Sequence, residues 1–180
     1  MTAQIEVPGY LTGAWAIDPS HSDISFTIRH LGVSKVRGRF DSFEGEIVTA
    51  EDPLRSSVSV TIQAASIDTN NQMRDDAVRG GDFLDVEKYP TLTFRSTGLR
   101  AVDDGFEADG ELTVHGVSRA VALRLEPNGF AEGWGGAKVA GFSATTEISR
   151  AEFGVTGGPM GATLGDKVTI TLEIEATRKD

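Results

Sequence analysis

Apolar residues recur at every second position through most of the chain. The alternation runs through Trp15-Ile17, Ile24-Phe26-Ile28, Val58-Val60-Ile62, Leu92-Phe94, Phe106-Ala108-Gly110-Leu112-Val114, Val121-Leu123-Leu125, Phe142-Ala144-Thr146-Ile148 and Val168-Ile170-Leu172-Ile174. A two-residue period places one set of side chains in the core and the other in water, so each run reads as a half-buried strand. With the long segment Val36 to Val48 the pattern predicts eight or nine strands. Turn signals separate them at Asp18-Pro19-Ser20, Glu51-Asp52-Pro53, Asp103-Asp104-Gly105, His115-Gly116, Pro127-Asn128-Gly129 and Gly157-Gly158-Pro159, and such short connections imply antiparallel neighbours.

Two strands change parity midway. Val36, Gly38 and Phe40 share one face while Phe43, Gly45 and Ile47 share the other. Keeping both sets inside requires an extra residue near Asp41-Ser42. The next strand passes from Val58, Val60 and Ile62 to Ala65 and Ile67 around Ala64 in the same way. Bulges coil a sheet toward its own edge, which favours a barrel over a flat sandwich. One helix is expected between about Asn70 and Leu84, one or two turns long, with a weak stripe of Met73, Ala77 and Val78 and an end at Gly80-Gly81. The prediction is therefore an all-β single domain over residues 1–180, with 1–12 and 178–180 peripheral and the tail Arg178-Lys179-Asp180 fraying.

Composition narrows the chemistry. The 180 residues include no cysteine, which excludes disulfides, thiolate metal sites and a cysteine nucleophile. A formal charge of -10 opposes attraction to nucleic acid or an anionic membrane through the general field. Residues Met1 to Gly13 lack a basic start followed by an apolar run, and no stretch reaches the roughly eighteen apolar residues of a membrane span. A cytoplasmic protein without membrane insertion is the expectation. The acidic excess is interrupted between Ile28 and Phe40, where Arg29, Lys35, Arg37 and Arg39 occur with no Asp or Glu. These cations read either as a solvated strand face or as a rim for an anionic or polar headgroup.

Few residues offer reactivity. The three histidines, His21, His30 and His115, lack the two-to-five-residue spacing of zinc sites, and no metal or cofactor is expected. His21 and His115 fall at turns. His30 continues the inward set Ile24, Phe26 and Ile28, so its imidazole needs a partner from protein, water or ligand. Asp75, Asp76, Asp82 and Asp85 around the helix are carboxylate candidates, with loop fixation as the plainer reading. There is no Gly-x-Ser-x-Gly elbow, and the glycine-rich run Gly154 to Gly165 matches no phosphate-binding pattern. Abundant inward phenylalanine leaves two readings: a solid core, or a barrel axis reserved for one apolar ligand, for which the small inward residues Gly38, Ala108, Gly110 and Ala144 leave room.

The order of the motifs carries a family resemblance. Trp15-Ala16-Ile17-Asp18, His21-Ser22, Phe26 to Gly32, Gly38-Arg39-Phe40 and Phe43-Glu44-Gly45 are followed by Ser66 to Thr69, Arg74-Asp75 and Asp82 to Asp85. Tyr89 to Ser96, Gly110 to Val117 and Ile148 to Gly154 complete the series. Over Trp15 to Ile174 the set resembles the YceI-like family of bacterial polyisoprenoid-binding proteins, and Gly13-Ala14-Trp15 is similar to the Gly-x-Trp of lipocalins. The resemblance implies an extended antiparallel eight-stranded barrel, lipocalin-like, with one short helix between strands, holding a long isoprenoid, quinone or fatty chain, and a homodimer. This chain has Ala77 where many members carry a helix histidine. On this reading Phe26, Ile28, Val60, Ile62, Leu92, Phe94, Phe106, Leu112 and Phe142 line the tunnel. Phe83, Phe153 and Met160 stand near its mouth, and His30 or the pair Arg37 and Arg39 orients the head. The rival expectation is a small-molecule enzyme using His30 with Asp75 or Asp85.

Overall fold

Among the described residues eleven strands and one α-helix follow one another. The computed structural model describes residues 7–103 and 105–179. Its elements are β1 (Gly13–Ile17), β2 (Asp23–His30), β3 (Ser34–Phe40), β4 (Phe43–Thr49), β5 (Ser57–Gln63), β6 (Ile67–Asp68), α1 (Gln72–Arg79), β7 (Thr91–Val102), β8 (Gly105–Val114), β9 (Val117–Glu132), β10 (Lys138–Ser149) and β11 (Leu164–Arg178). All pairings are antiparallel, in the order β1-β4-β5-β7-β8-β9-β10-β11-β2-β3-β6, and β1 also pairs with β11.

That order resolves into eight strands, three of them bent. β1 and β2 form one strand interrupted by the turn Pro19–His21, so β11 binds β2 along its first part and β1 at its end. β3 and β4 are one strand broken at Asp41-Ser42, and β5 and β6 are one strand broken by the turn Ala64–Ser66. With β7 to β11 they close an eight-stranded barrel. The second and third bends are bonded to each other, the Asp41 amide donating to Ser66 O (3.1 Å) and the Gln63 amide to Ser42 O (2.9 Å), and the first is bonded to β11 through the Asp18 amide and Glu175 O (2.8 Å). Backbone groups released by the bends are thus re-paired across the seam.

The bend at Asp41-Ser42 keeps Gly38 and Phe40 inside on one side of it and Phe43 and Ile47 on the other. At the second bend the inward residue is Ala64 rather than Ala65. Ala64 extends the Val60-Ile62 parity and is 1% exposed, and the turn that follows throws Ala65 outward before Ile67 returns to the core. Pro127-Asn128-Gly129 is not a turn but a bulge inside the 16-residue β9, where Pro127 pairs with Phe142 and Gly129 with Gly141. A bulge tolerates the missing proline donor, and Gly129 takes φ +152° there. The chain reverses later, at Gly133–Ala137, with Trp134 exposed at the tip. The tail is ordered through Lys179, whose amide donates to Ala14 O (2.8 Å). Residues 1–6, Asp104 and Asp180, which include parts of the predicted peripheral segments and of one predicted turn, lie outside the described residues.

An aromatic cluster packs at one end of the barrel. Trp15 is fully buried, packs edge-on against Phe130 (5.6 Å between centroids), and Phe130 meets Phe142 and Tyr10 the same way. The indole Nε1 donates to Thr49 Oγ1 (2.8 Å), and that hydroxyl donates onward to Leu11 O (2.7 Å). Replacing Thr49 with Val keeps the shape but orphans a buried N–H and a carbonyl, which costs about 1–3 kcal/mol. Urea denaturation of T49V therefore shows a loss of that size, while T49S stays near wild type; equal stability of T49V and wild type contradicts the role given to the hydroxyl.

Candidate functional site: an apolar cavity in the barrel

The barrel encloses a cavity of about 760 Å³, within the roughly 300–1,000 Å³ of small-molecule sites. Its wall comes from every strand of the barrel and is almost wholly apolar. Ile24, Phe26 and Ile28 of β2 face Phe106, Ala108 and Leu112 of β8 across the axis, and Val60, Ile62, Leu123, Phe142 and Ile170 fill in between.

The axis stays open because aromatic rings lean along the wall onto glycines. Phe26 pairs with Gly38 across β2 and β3, and a Cβ built on Gly38 would stand 2.3 Å from Phe26 Cζ. Phe94 does the same on Gly110 of β8, where a Cβ would stand 2.4 Å from Cζ and 2.6 Å from Arg95 O. Both separations are impossible for real side chains, so each glycine is the seat of a ring. The small inward residues Gly38 and Gly110, expected to leave room themselves, instead receive the rings that would otherwise project into the lumen.

At the end opposite the aromatic cluster the cavity is bordered by exposed residues, among them Met73 and Met160. There β6 turns to pair with β3 while β7 diverges toward β8, and the segment from Thr69 to Pro90 bridges the gap. On one side Arg79 of α1 donates to Ala65 O and Ile67 O; on the other Tyr89 stacks against His115 (4.8 Å). Asn71 caps α1 by accepting from the Arg74 amide (3.0 Å), and the helix ends at Gly80 in extended, not left-handed, backbone. The expected stripe is inverted by this position: Val78 is half-buried, but Met73 and Ala77 border the cavity opening and are exposed.

Charges at this mouth are mostly engaged. Arg150 spends all five N–H donors on carbonyls: Nε on Gly165, one Nη on Val155 and Thr156, the other on Gly161 and Leu164. It therefore organises the loop 150–165 at the rim. Asp75 is buried and accepts from the Thr69 amide (2.8 Å) and hydroxyl. Burial pushes its carboxyl up, but the Thr69 hydrogen bonds and the nearby Arg79 and Arg74 outweigh it and hold the group below the usual carboxylate range. Arg74 gives Nε and one Nη to Thr69. Its other Nη has no partner among the described residues, and Arg74 is one of the residues that border the cavity.

All of the residues predicted for the tunnel and its mouth stand on the cavity wall except Arg37 and Arg39. Their parity on β3 is opposite to that of Val36, Gly38 and Phe40, which turns both outward. Arg39 is committed to Asp41 (2.8 Å) and Asp68 (3.2 Å). His30 reaches the mouth, and its imidazole has no hydrogen-bond partner among the described residues. Neither Asp75 nor Asp85 borders the cavity. His21 lies outside the barrel, held by Asp18 (2.8 Å) and Glu175 (3.3 Å), and His115 occupies the β8–β9 turn at φ +55°. Two arginines on the wall, Arg150 and Arg74, were not among the expected residues. Arg150 continues the inward run Phe142, Ala144, Thr146, Ile148, so its alternation was readable; Arg74 depends on where the helix sits, and no periodicity shows that.

The family model for the YceI-like domain matches residues 15–176. The chain belongs to the YceI-like family. A UPF0312 protein of Vibrio cholerae is 36% identical over 189 residues, covering 99% of this chain and 95% of its relative. A UPF0312 protein of Pseudomonas aeruginosa is 37% identical over 163 residues, covering 88% and 83%. Among solved structures, the Campylobacter jejuni YceI protein is similar at TM-score 0.75 with 33% identity, covering 85% of this chain and 91% of that one. Two more distant structures share the fold: Burkholderia cenocepacia BcnA at TM-score 0.81 and 24% identity (89% and 99% covered), and a polyisoprenoid binding domain from Saccharophagus degradans at TM-score 0.72 and 14% identity (94% and 100% covered).

In this YceI-like barrel the glycine seats are testable. In G38A the added methyl displaces the Phe26 ring toward the axis, and overpacking of this kind costs about 1–3 kcal/mol, or roughly fivefold or more in affinity for whatever fills the lumen. Titration with Nile red, a neutral lipophilic dye, shows that loss, and the double variant G38A/F26L recovers it. Undiminished dye uptake by G38A removes the seat from the explanation.

Proposed function

We propose that the protein binds one long-chain isoprenoid or similar amphipathic lipid, chain inward and head at the mouth, for storage, transport or sequestration. The observation that carries this reading is the apolar cavity along the barrel axis, bordered at one end by exposed residues of α1 and of the loop 150–165. A polyisoprenoid binding domain among the proteins of the same fold supports it.

Energetics favour a chain. Each buried methylene contributes about 0.8 kcal/mol, so a chain of about twenty carbons exceeds the roughly 4–15 kcal/mol lost to immobilisation. Affinity then follows chain length and width more than head chemistry. Polar head contacts fall to His30 and the free Nη of Arg74, in place of Arg37 and Arg39. Binding is favoured over catalysis because Asp75 is tied to Thr69 and neither it nor Asp85 meets the cavity that His30 borders.

Native mass spectrometry of the purified protein, with organic extraction of what copurifies, shows a bound species in the mass range of prenyl lipids, and the emptied protein takes up a prenyl quinone. No bound species together with no uptake overturns the reading. Phe94→Trp and Phe106→Trp shorten the preferred chain by an isoprene unit or more in competition with a mixed-length prenol series. Unchanged length preference removes these rings from the chain's path.

A further inference from the structure

The turn joining β2 to β3 is built against local preference. Val33 N donates to His30 O (3.2 Å), and the central residues Leu31 (φ +54°) and Gly32 (φ +68°) both have the positive φ of a type I′ turn. Asn, Asp or Gly belongs at the first of these positions, because a left-handed backbone crowds a larger side chain. Leucine occupies it, 62% exposed, and Val33 beside it is 84% exposed. Both side chains remain mostly exposed, so the strained backbone and the wet apolar surface lack a reason among the described residues.

Two further exposed apolar groups share this end of the barrel. Met73 of α1 is 85% exposed and Met160 57% exposed, and both also border the cavity opening. The Leu31 amide donates to Thr163 O (2.7 Å) and the Thr163 hydroxyl to Met160 O (2.7 Å), which joins the hairpin to the rim at Met160. Leu31 and Val33 protrude from a turn and line no part of the cavity, and projecting side chains suit a soft medium better than a shaped partner.

Charge indicates which medium. Arg29 stands directly opposite Lys35 in the β2–β3 ladder, and Arg37 follows on the same outward face. Like charges placed opposite repel, yet none of the three has an ion pair or side-chain hydrogen bond among the described residues. Three carboxylates at this end are engaged, Asp75 by Thr69, Asp76 by Arg79 and Asp166 by Ser149 and the Ala151 amide, while Asp85 and Glu87 on the helix-bearing segment and Glu152 on the rim loop have no ion pair among the described residues and stand away from the β2–β3 turn in sequence. Asp82 sits beside Gly158 on the Met160 side, leaving the hairpin as the leading edge. The overall charge of -10 does not cancel this patch at contact, since screening limits the general field to about 8 Å at physiological ionic strength.

We propose that the barrel docks mouth-first on an anionic phospholipid bilayer, with Leu31 and Val33 inserted, Met73 and Met160 at the surface, and Arg29, Lys35 and Arg37 against the headgroups. This rests on the lipid-binding reading and adds its route: a lipid chain passes between bilayer and lumen without crossing water. The general-field expectation that the protein avoids anionic membranes is reversed at this one edge.

The test is flotation of the full chain with phosphatidylcholine vesicles, with and without phosphatidylglycerol, beside a vesicle-free titration with a short soluble prenol. Wild type floats at least tenfold more with the anionic vesicles. The variant R29Q/K35Q/R37Q loses that preference, by roughly fivefold per cation. L31N/V33S loses flotation, while L31N alone melts roughly 2–4 °C higher because asparagine accepts the left-handed turn. None of these residues lies on the cavity wall, so prenol binding is unchanged in every variant. Absence of wild-type flotation, or equal flotation of wild type and L31N/V33S, overturns the docking proposal. So does self-association by light scattering that L31N/V33S abolishes, because the patch is then a contact between copies. Loss of prenol binding by wild type with flotation intact overturns the lipid-binding reading and leaves the docking edge standing.

Discussion

A sheet that closes on itself sends all its inward side chains toward one axis, and the use of that axis depends on where the rings go. Here Phe26 leans onto Gly38 and Phe94 onto Gly110, each ring lying over a neighbouring strand that has no side chain to oppose it. The barrel thereby keeps large aromatic surface in its wall without filling its centre. The cavity, its apolar lining and the lipid reading all follow from that arrangement.

The three bends serve the same end. Antiparallel strands with strict alternation would swing half of their apolar residues outward after any inserted residue. The interruptions at Asp41-Ser42 and Ala64–Ser66 re-pair their backbone groups with one another, and the one at Pro19–His21 does so with Glu175 of β11, so parity is corrected across three strands. Past these bends β6 leaves the β7 side of the wall, which creates the gap that α1 and the segment around it border. The same distortion that keeps the core inside therefore also makes the mouth. At the other end Phe130 and Thr49 stand on the cavity wall with Tyr10, and Trp15 packs behind them.

Much of this was legible in the alternation of residues. Strand positions, the bulge at Asp41-Ser42, the short helix and the inward set from Phe26 to Phe142 follow from a period of two and from the places where that period slips. What was not legible is lateral. Gly38 and Gly110 look like vacancies along their own strands and prove to be seats only once Phe26 and Phe94 are placed beside them. Pro127-Asn128-Gly129 has turn composition, but pairing with β10 on one side and β8 before it turns the same residues into a bulge. Arg37 and Arg39 were grouped by sequence proximity to His30, although their parity already turned them outward. Arg178 and Lys179 read as a loose polar end, yet β1 lies beside them.

The claim most open to direct measurement is that a hydrocarbon chain occupies the barrel axis. Nuclear Overhauser contacts between an unlabelled prenol and isotope-labelled protein locate the chain. An axial chain touches Ile28 on β2 and Leu112 on β8, four strands apart around the ring, in the same complex. Contacts confined to Leu31, Val33 and other exterior groups, with none to Ile28 or Leu112, would contradict it.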